Sequence, residues 1–208
     1  MKVTDPFLVI GPKSTISNWM KEFKLWAPFF RVVNLIPTKE HRDEIIREKM
    51  QPGYFDVCVT TYEAIYKCKA ALQKHKFYLL VFDEAHKLKN SDSKISADSR
   101  EIPARFRLLL TGTPLQNDIK ELWSLLNFLM PKLFGSKDDF LSWFDFSKYD
   151  ADKDKKMQMV KKLHTILRPF LLRRVKADLA KKLPDKIEIN VNVQLTQTQV
   201  DLYAQILT

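Results

Sequence analysis

The chain has 208 residues, 45% apolar and 12% aromatic, enough for a packed core and contrary to a disordered polypeptide. Its net charge is +10, yet residues 153–186 hold twelve Lys or Arg against three acids, so that segment supplies +9 and the rest +1. No apolar run reaches membrane-spanning length, no charged-then-apolar leader opens the chain, and Cys58 and Cys68 lack a CxxC partner, so a soluble, non-secreted protein with reduced intracellular thiols is expected.

Short Val, Ile and Leu runs recur between segments of helical spacing. Residues 7–10, 31–36, 56–60, 78–82 and 106–111 are apolar on both faces and bounded by turn residues, as buried parallel strands are. After residues 7–10, Ser14 or Thr15 is expected to cap a helix whose stripe is Ile16, Trp19, Met20, Phe23 and Trp26, ended by Pro28. A second helix is expected over 38–50, a third over 62–74, and a fourth after Asn117 or Asp118 that stops at Pro131. Strand and helix in alternation predict an α/β fold with a doubly wound, mostly parallel sheet over residues 1–131.

From residue 132 the character changes. Aromatics cluster at Phe140, Trp143, Phe144 and Phe146, and a polar run leads into the basic segment. Val160, Leu163, Leu167, Phe170 and Leu171 form its apolar stripe, and Pro169 is expected to bend or end the helix. Residues 132–186 are therefore expected to form a basic helical protrusion. Its charge suits a polyanion such as nucleic acid, and a solvated lysine-rich helix face would look the same. Residues 187–208 begin with a strand-like alternation over 187–193 and continue into a helical pattern from Gln197.

Two strand ends carry chemistry. Residues 78–82 deliver Asp83 and Glu84 side by side, followed by Ala85 and His86. Nucleotide hydrolysis needs one carboxylate for magnesium and another to orient and deprotonate water, which would make Asp83 the metal residue and Glu84 the base. A solvated strand end is the plainer alternative. The run at 106–117 ends in Thr111-Gly112-Thr113, hydroxyls around a glycine turn, where the residues equally suit a turn and a helix cap.

Asp83-Glu84-Ala85-His86, followed by Leu-Leu-Leu-Thr111-Gly112-Thr113-Pro-Leu-Gln-Asn117, resembles motifs II and III of the SWI/SNF-related helicase-like chromatin-remodelling ATPases. The likeness covers essentially the whole chain. Val9-Ile-Gly-Pro-Lys-Ser-Thr-Ile-Ser-Asn-Trp19 resembles motif Ia, Asp56-Val-Cys-Val-Thr-Thr-Tyr-Glu63 the DNA-contacting strand end, and Asn90-Ser-Asp-Ser-Lys94 the Asn-x-x-Ser-Lys element. Residues 122–131, 139–144 and 167–178 are similar in wording to the imitation-switch (ISWI) branch. The resemblance implies a RecA-like first lobe that uses ATP and Mg²⁺, double-stranded DNA, nucleosomes and histones as partners, accessory remodeler subunits, and a nuclear location. It implies that Asp83 and Glu84 handle Mg²⁺ and water and that His86 couples them to Thr111, Gly112 and Thr113. It places Lys13, Ser14, Thr15, Thr60, Thr61 and Tyr62 along the DNA track, with Lys94 on a phosphate. Hydroxyls, amides and lysines at strand ends suit phosphates without reading bases.

One departure matters. A phosphate-cradling loop needs Gly-x-x-x-x-Gly-Lys-Ser/Thr so that several N–H groups can converge. The four glycines, Gly11, Gly53, Gly112 and Gly135, nowhere have that spacing. The motif I strand and the second lobe with its arginine fingers are also missing from the pattern, and losing such fingers typically costs about 10³–10⁵ in rate. The chain alone is thus expected to be inactive, with an apolar flank exposed near residues 7–10. Two readings follow: a fragment of an ATP-dependent, DNA-translocating remodeler, or a non-catalytic DNA- or nucleosome-binding module derived from one.

Overall fold

The computed structural model describes residues 4–36, 41–112, 119–144, 153–174 and 187–207. The chain divides into two compact units, one ending at Met159 and one beginning at Val160. The first is built on five strands: β1 (Phe7–Gly11), β2 (Val32–Leu35), β3 (Val57–Thr61), β4 (Phe77–Asp83) and β5 (Ala104–Leu110). All pair in parallel, in the order β2-β3-β1-β4-β5. Every expected apolar run is a strand, with ends displaced by one or two residues. Parallel neighbours need long crossovers. Here these are α1 (Lys13–Trp26), α2 (Arg42–Lys49), the pair α3 (Tyr62–Lys67) and α4 (Lys69–Leu72), and α5 (Lys94–Arg100).

Successive strand residues face opposite sides. Leu8, Ile10, Cys58, Leu80 and Phe82 join Ile65, Leu72 and Phe128 in one core. Val9, Val57, Val59 and Val81 join Ile16 in a second, against which Trp19, Met20 and Phe23 of α1 pack. With apolar clusters on both faces, the sheet is doubly wound as expected. The exposed flank expected at residues 7–10 is not found. β1 is paired along both edges, and Leu8, Val9 and Ile10 are buried. Among the described strands the less covered edge is that of β5, which pairs only with β4 and leaves Phe106 and Leu108 48% and 45% exposed.

Several local expectations are corrected. Ser14 and Thr15 do not cap α1. Pro12 holds the N-cap position at φ −60°, ψ 148°, and the Thr15 hydroxyl donates back to the Pro12 carbonyl at 3.0 Å. Proline's ring fixes φ at about that value and offers no N–H, so it suits a helix start. The helix expected over 62–74 is two, parted at Cys68 (φ −119°, ψ 17°). Helix α5 has no counterpart among the expected helices; Ser93 caps it, its hydroxyl accepting from the Ser96 N–H at 3.2 Å. The part of the second helix that lies within the described residues runs over 42–49, and residues 37–40 lie outside them.

Helix α6 (Ile119–Leu129) ends before Pro131 as expected, while the proposed caps Asn117 and Asp118 lie outside the described residues. Ser136 caps α7 (Lys137–Trp143), and Phe140 packs against Phe134 and Phe144 with ring centroids 6.0 and 5.0 Å apart. Helix α8 (Lys153–Leu167) stops two residues before Pro169, because the residue preceding a proline is pushed out of helical geometry. Residues 145–152 and 175–186 of the expected protrusion lie outside the described residues.

In the second unit, α9 (Gln197–Leu207) follows a segment that is not the strand expected over 187–193. Ile187, Ile189, Val191 and Val193 are all at least 76% exposed, and the segment pairs with no described strand. Alternation fixes which way side chains point; it cannot supply a partner. Among the described residues no helix is long and apolar enough to cross a membrane.

Candidate functional site

The carboxyl ends of β1, β3 and β4 bring Gly11, Thr61 and Asp83 together, with Gly11 in register with Thr61 and Ile10 with Phe82. Ligands in open α/β sheets bind at this end of the strands. Asp83 is held from two directions. Its Oδ2 accepts from Trp19 Nε1 at 3.0 Å, and its backbone carbonyl accepts from the Tyr62 hydroxyl at 2.8 Å. Gly11 makes the approach possible: a Cβ there would lie 3.0 Å from Thr15 Oγ1 and 3.3 Å from Asp83 Cβ.

Glu84 then takes the left-handed conformation, φ 54° and ψ 51°. For a residue with a side chain this costs about 1–2 kcal/mol and persists only where the surroundings impose it. The turn leads into a short 3₁₀ helix (Ala85–Leu88). His86 Nδ1 lies 3.1 Å from Glu84 Oε2, with both side chains 45% exposed. Glu84 and His86 therefore do come together, directly after Asp83 in the chain. Thr111 and Gly112 directly follow Leu110, the register partner of Asp83, while Thr113 lies outside the described residues.

Beside Asp83 lies a cavity of about 230 Å³ whose lining includes Gly11, Lys13, Thr61, Tyr62, Glu63 and Lys87. Two lysines and one glutamate line it, and the Glu63 carboxylate is paired with Lys67 at 3.0 Å. The N-terminus of α1 has no side-chain cap and no acid in its first turn, so its free N–H groups add positive potential there. Thr61 is 5% exposed, and its hydroxyl has no hydrogen-bond partner among the described residues. Lys87 Nζ sits 5.0 Å from the centre of the Tyr62 ring. Burial foremost, then the charges of Asp83 and Glu84, push the Tyr62 phenol well above its ordinary value, so it stays a donor near neutral pH.

The expected DNA-track residues separate into groups. Lys13 and Thr61 line the cavity, and Ser14 is exposed in the first turn of α1. Thr15 spends its hydroxyl on Pro12. Thr60 is fully buried, its hydroxyl bonded to the Leu35 carbonyl. Tyr62 is 3% exposed, with its hydroxyl turned to Asp83. Lys94 is exposed at the start of α5, 5.8 Å from the Tyr66 ring centre. The surrounding Asn90–Ser93 contacts build the start of α5: the Ser93 hydroxyl donates to the Asn90 carbonyl and Asn90 Oδ1 accepts from the Asp92 N–H.

Sequence reasoning missed Trp19 and Lys87. In the sequence Trp19 reads only as part of an apolar stripe, although an indole N–H near a sheet end needs an acceptor. Lys87 stands one residue past the acidic motif. The donor set fits magnesium in a particular way. Among the described residues no group of three or more His, Cys, Asp or Glu could hold a metal alone. Magnesium is commonly held by one or two carboxylates with water and substrate phosphates, which Asp83 and Glu84 suit.

The SNF2-related domain family matches residues 1–208. The human "SWI/SNF-related matrix-associated actin-dependent regulator of chromatin subfamily A member 1" is 48% identical over 205 residues, covering 99% of this chain and 19% of that protein. "ISWI chromatin-remodeling complex ATPase ISW1" of Saccharomyces cerevisiae is 45% identical over 206 residues, covering 99% and 18%. The chain thus spans about a fifth of the length of these relatives. The solved "Sulfolobus solfataricus SWI2/SNF2 ATPase core in complex with dsDNA" superposes with a TM-score of 0.70 at 35% identity, covering 97% of this chain and 41% of that one.

Proposed function

The chain belongs to the SNF2-related domain family and carries its RecA-like parallel sheet, and from that premise we propose that it is part of an ATP-dependent, DNA-translocating nucleosome remodeler that works in the nucleus. One observation carries the reading. The Asp83-Glu84 pair and a lysine-lined cavity share the same sheet end and are joined through Tyr62. Residues 1–131 are the nucleotide-side lobe in this reading, 132–186 a basic protrusion, and 187–208 the start of a connection.

Asp83 would hold Mg²⁺ and, with Glu84, face the triphosphate of ATP. The bound metal would supply charge neutralisation at the phosphates. Trp19 fixes one Asp83 oxygen, so the carboxylate is oriented before any ligand arrives. Glu84 would take a proton from water, with His86 3.1 Å from its carboxylate to orient it. Lys13, Ser14, Thr61 and Lys94 grip the phosphates of double-stranded DNA, with histones and accessory subunits as further partners. Thr111, Gly112 and Thr113 couple β5 to the carboxylates.

A second reading is a DNA-binding module, which the lysines lining the cavity support. Binding of the purified chain to a fluorescent duplex in low salt tests both. We expect binding that weakens steeply as salt rises and no ATP hydrolysis. No binding in low salt would sink the DNA assignment. Turnover by this chain would overturn the account of the phosphate loop.

A further inference from the structure

The Tyr62 hydroxyl ends on the carbonyl of Asp83, the peptide unit that leads into Glu84. Glu84 is the one non-glycine residue with positive φ among the described residues, and such a conformation needs its neighbours to hold it. Tyr62 directly follows Thr61, which lines the cavity and whose buried hydroxyl has no hydrogen-bond partner among the described residues. On the other side of Glu84, three residues on, Lys87 lines the same cavity and sits against the Tyr62 ring. An anion drawn between Lys13, Thr61 and Lys87 would therefore pull on the backbone at both ends of the Asp83-Glu84 turn.

We propose that Tyr62 is a positioning residue, which transmits occupancy of the phosphate cavity to the turn that presents Asp83 and Glu84. The inference rests on the DNA reading above. Without DNA, the hydroxyl holds the Asp83 carbonyl, and the Lys87 side chain is held against the Tyr62 ring. With a phosphate seated, Thr61 and Lys87 are fixed together, and the Tyr62 bond locks the turn between them. Tyr62 lines the cavity, and its hydroxyl ends on the backbone carbonyl of Asp83.

Amide hydrogen exchange of the full chain, with and without saturating duplex DNA, tests this. In the wild type, duplex should slow exchange both near Lys13 and Thr61 and across residues 84–88. In Tyr62→Phe, which keeps the ring and loses one hydroxyl, saturating duplex should still slow exchange near Lys13 and Thr61, and protection over 84–88 should be lost. Equal protection of 84–88 in both proteins overturns the proposal, as does a wild type in which duplex protects Lys13 and Thr61 alone. A variant raised in exchange by the same factor with and without duplex makes Tyr62 a packing residue, and so does one that fails to fold. If the wild type binds no duplex at any salt, the DNA reading itself fails and takes this inference with it.

Discussion

Trp19 Nε1 donates to Asp83 Oδ2 at 3.0 Å across 64 residues of sequence, tying α1 to the end of β4. The bond joins a neutral donor to a carboxylate in a partly buried setting, the stronger class of hydrogen bond. Trp19→Phe keeps an aromatic ring on the sheet and removes the donor. It should lower stability by about 1.5–3 kcal/mol, read from urea unfolding followed by circular dichroism. An unchanged midpoint would mean that water replaces the indole at no cost.

Gly11→Ala should be worse than an ordinary glycine replacement in a strand. The new methyl would meet Thr15 Oγ1 at 3.0 Å and Asp83 Cβ at 3.3 Å, both on packed elements. A loss of about 1–3 kcal/mol is expected, measured by thermal melting. Gly112→Ala serves as the comparison, since a methyl added there would meet nothing within 4 Å among the described residues. If both variants melt together, the contact at Gly11 relaxes freely.

Lys13→Ala and Lys87→Ala should each weaken duplex binding regardless of base sequence. Each should also reduce the slope of log affinity against log salt by about 1, the effect of one lost phosphate contact. Fluorescence anisotropy over a salt series gives the slope. Preference for particular sequences emerging in either variant would contradict a backbone contact.

Acid should destabilise the first unit in two separate ranges. Burial, foremost, pushes the His75 imidazole below its ordinary 6.5, since it lies between the rings of Phe55 and Phe77. A group with a lowered folded pKa binds more protons when unfolded, so His75 contributes its full stability above 6.5 and loses it as pH falls below that. The Arg31 hydrogen bond, foremost, holds Asp56 below its ordinary 3.8, so this second loss begins only as pH falls toward and below that value. His75→Phe should flatten the first step and Arg31→Ala the second, in unfolding midpoints taken across pH.

The sheet was legible because central parallel strands are apolar on both faces, and five such runs stand out from the helices between them. Capping was harder. Ser14 and Thr15 are good capping residues, but Pro12 had already set the backbone for a helix start. The alternation at 187–193 looked like a strand because a pattern reports faces and not partners. At the site, the acidic pair was visible as two adjacent carboxylates after an apolar run. The left-handed Glu84 was not, because glutamate carries no preference for that conformation. Nor could spacing show that Tyr62 and Trp19 both end on Asp83, since those contacts exist only once β1, β3 and β4 are side by side.

The strand order bears on how the chain folds. β1 lies at the centre of the sheet, yet Phe7 pairs with Val57 on one edge and Leu79 on the other, about 50 and 70 residues further along. No local hairpin can form first and recruit it. Each pairing must close a long loop before any ladder bond compensates for the lost chain entropy, which makes the search slow. Until β4 has been made and docked, one edge of β1 has no partner. The interval in which Leu8, Val9 and Ile10 wait for Phe82 and Val81 is when this chain is most open to aggregation and to capture by a chaperone.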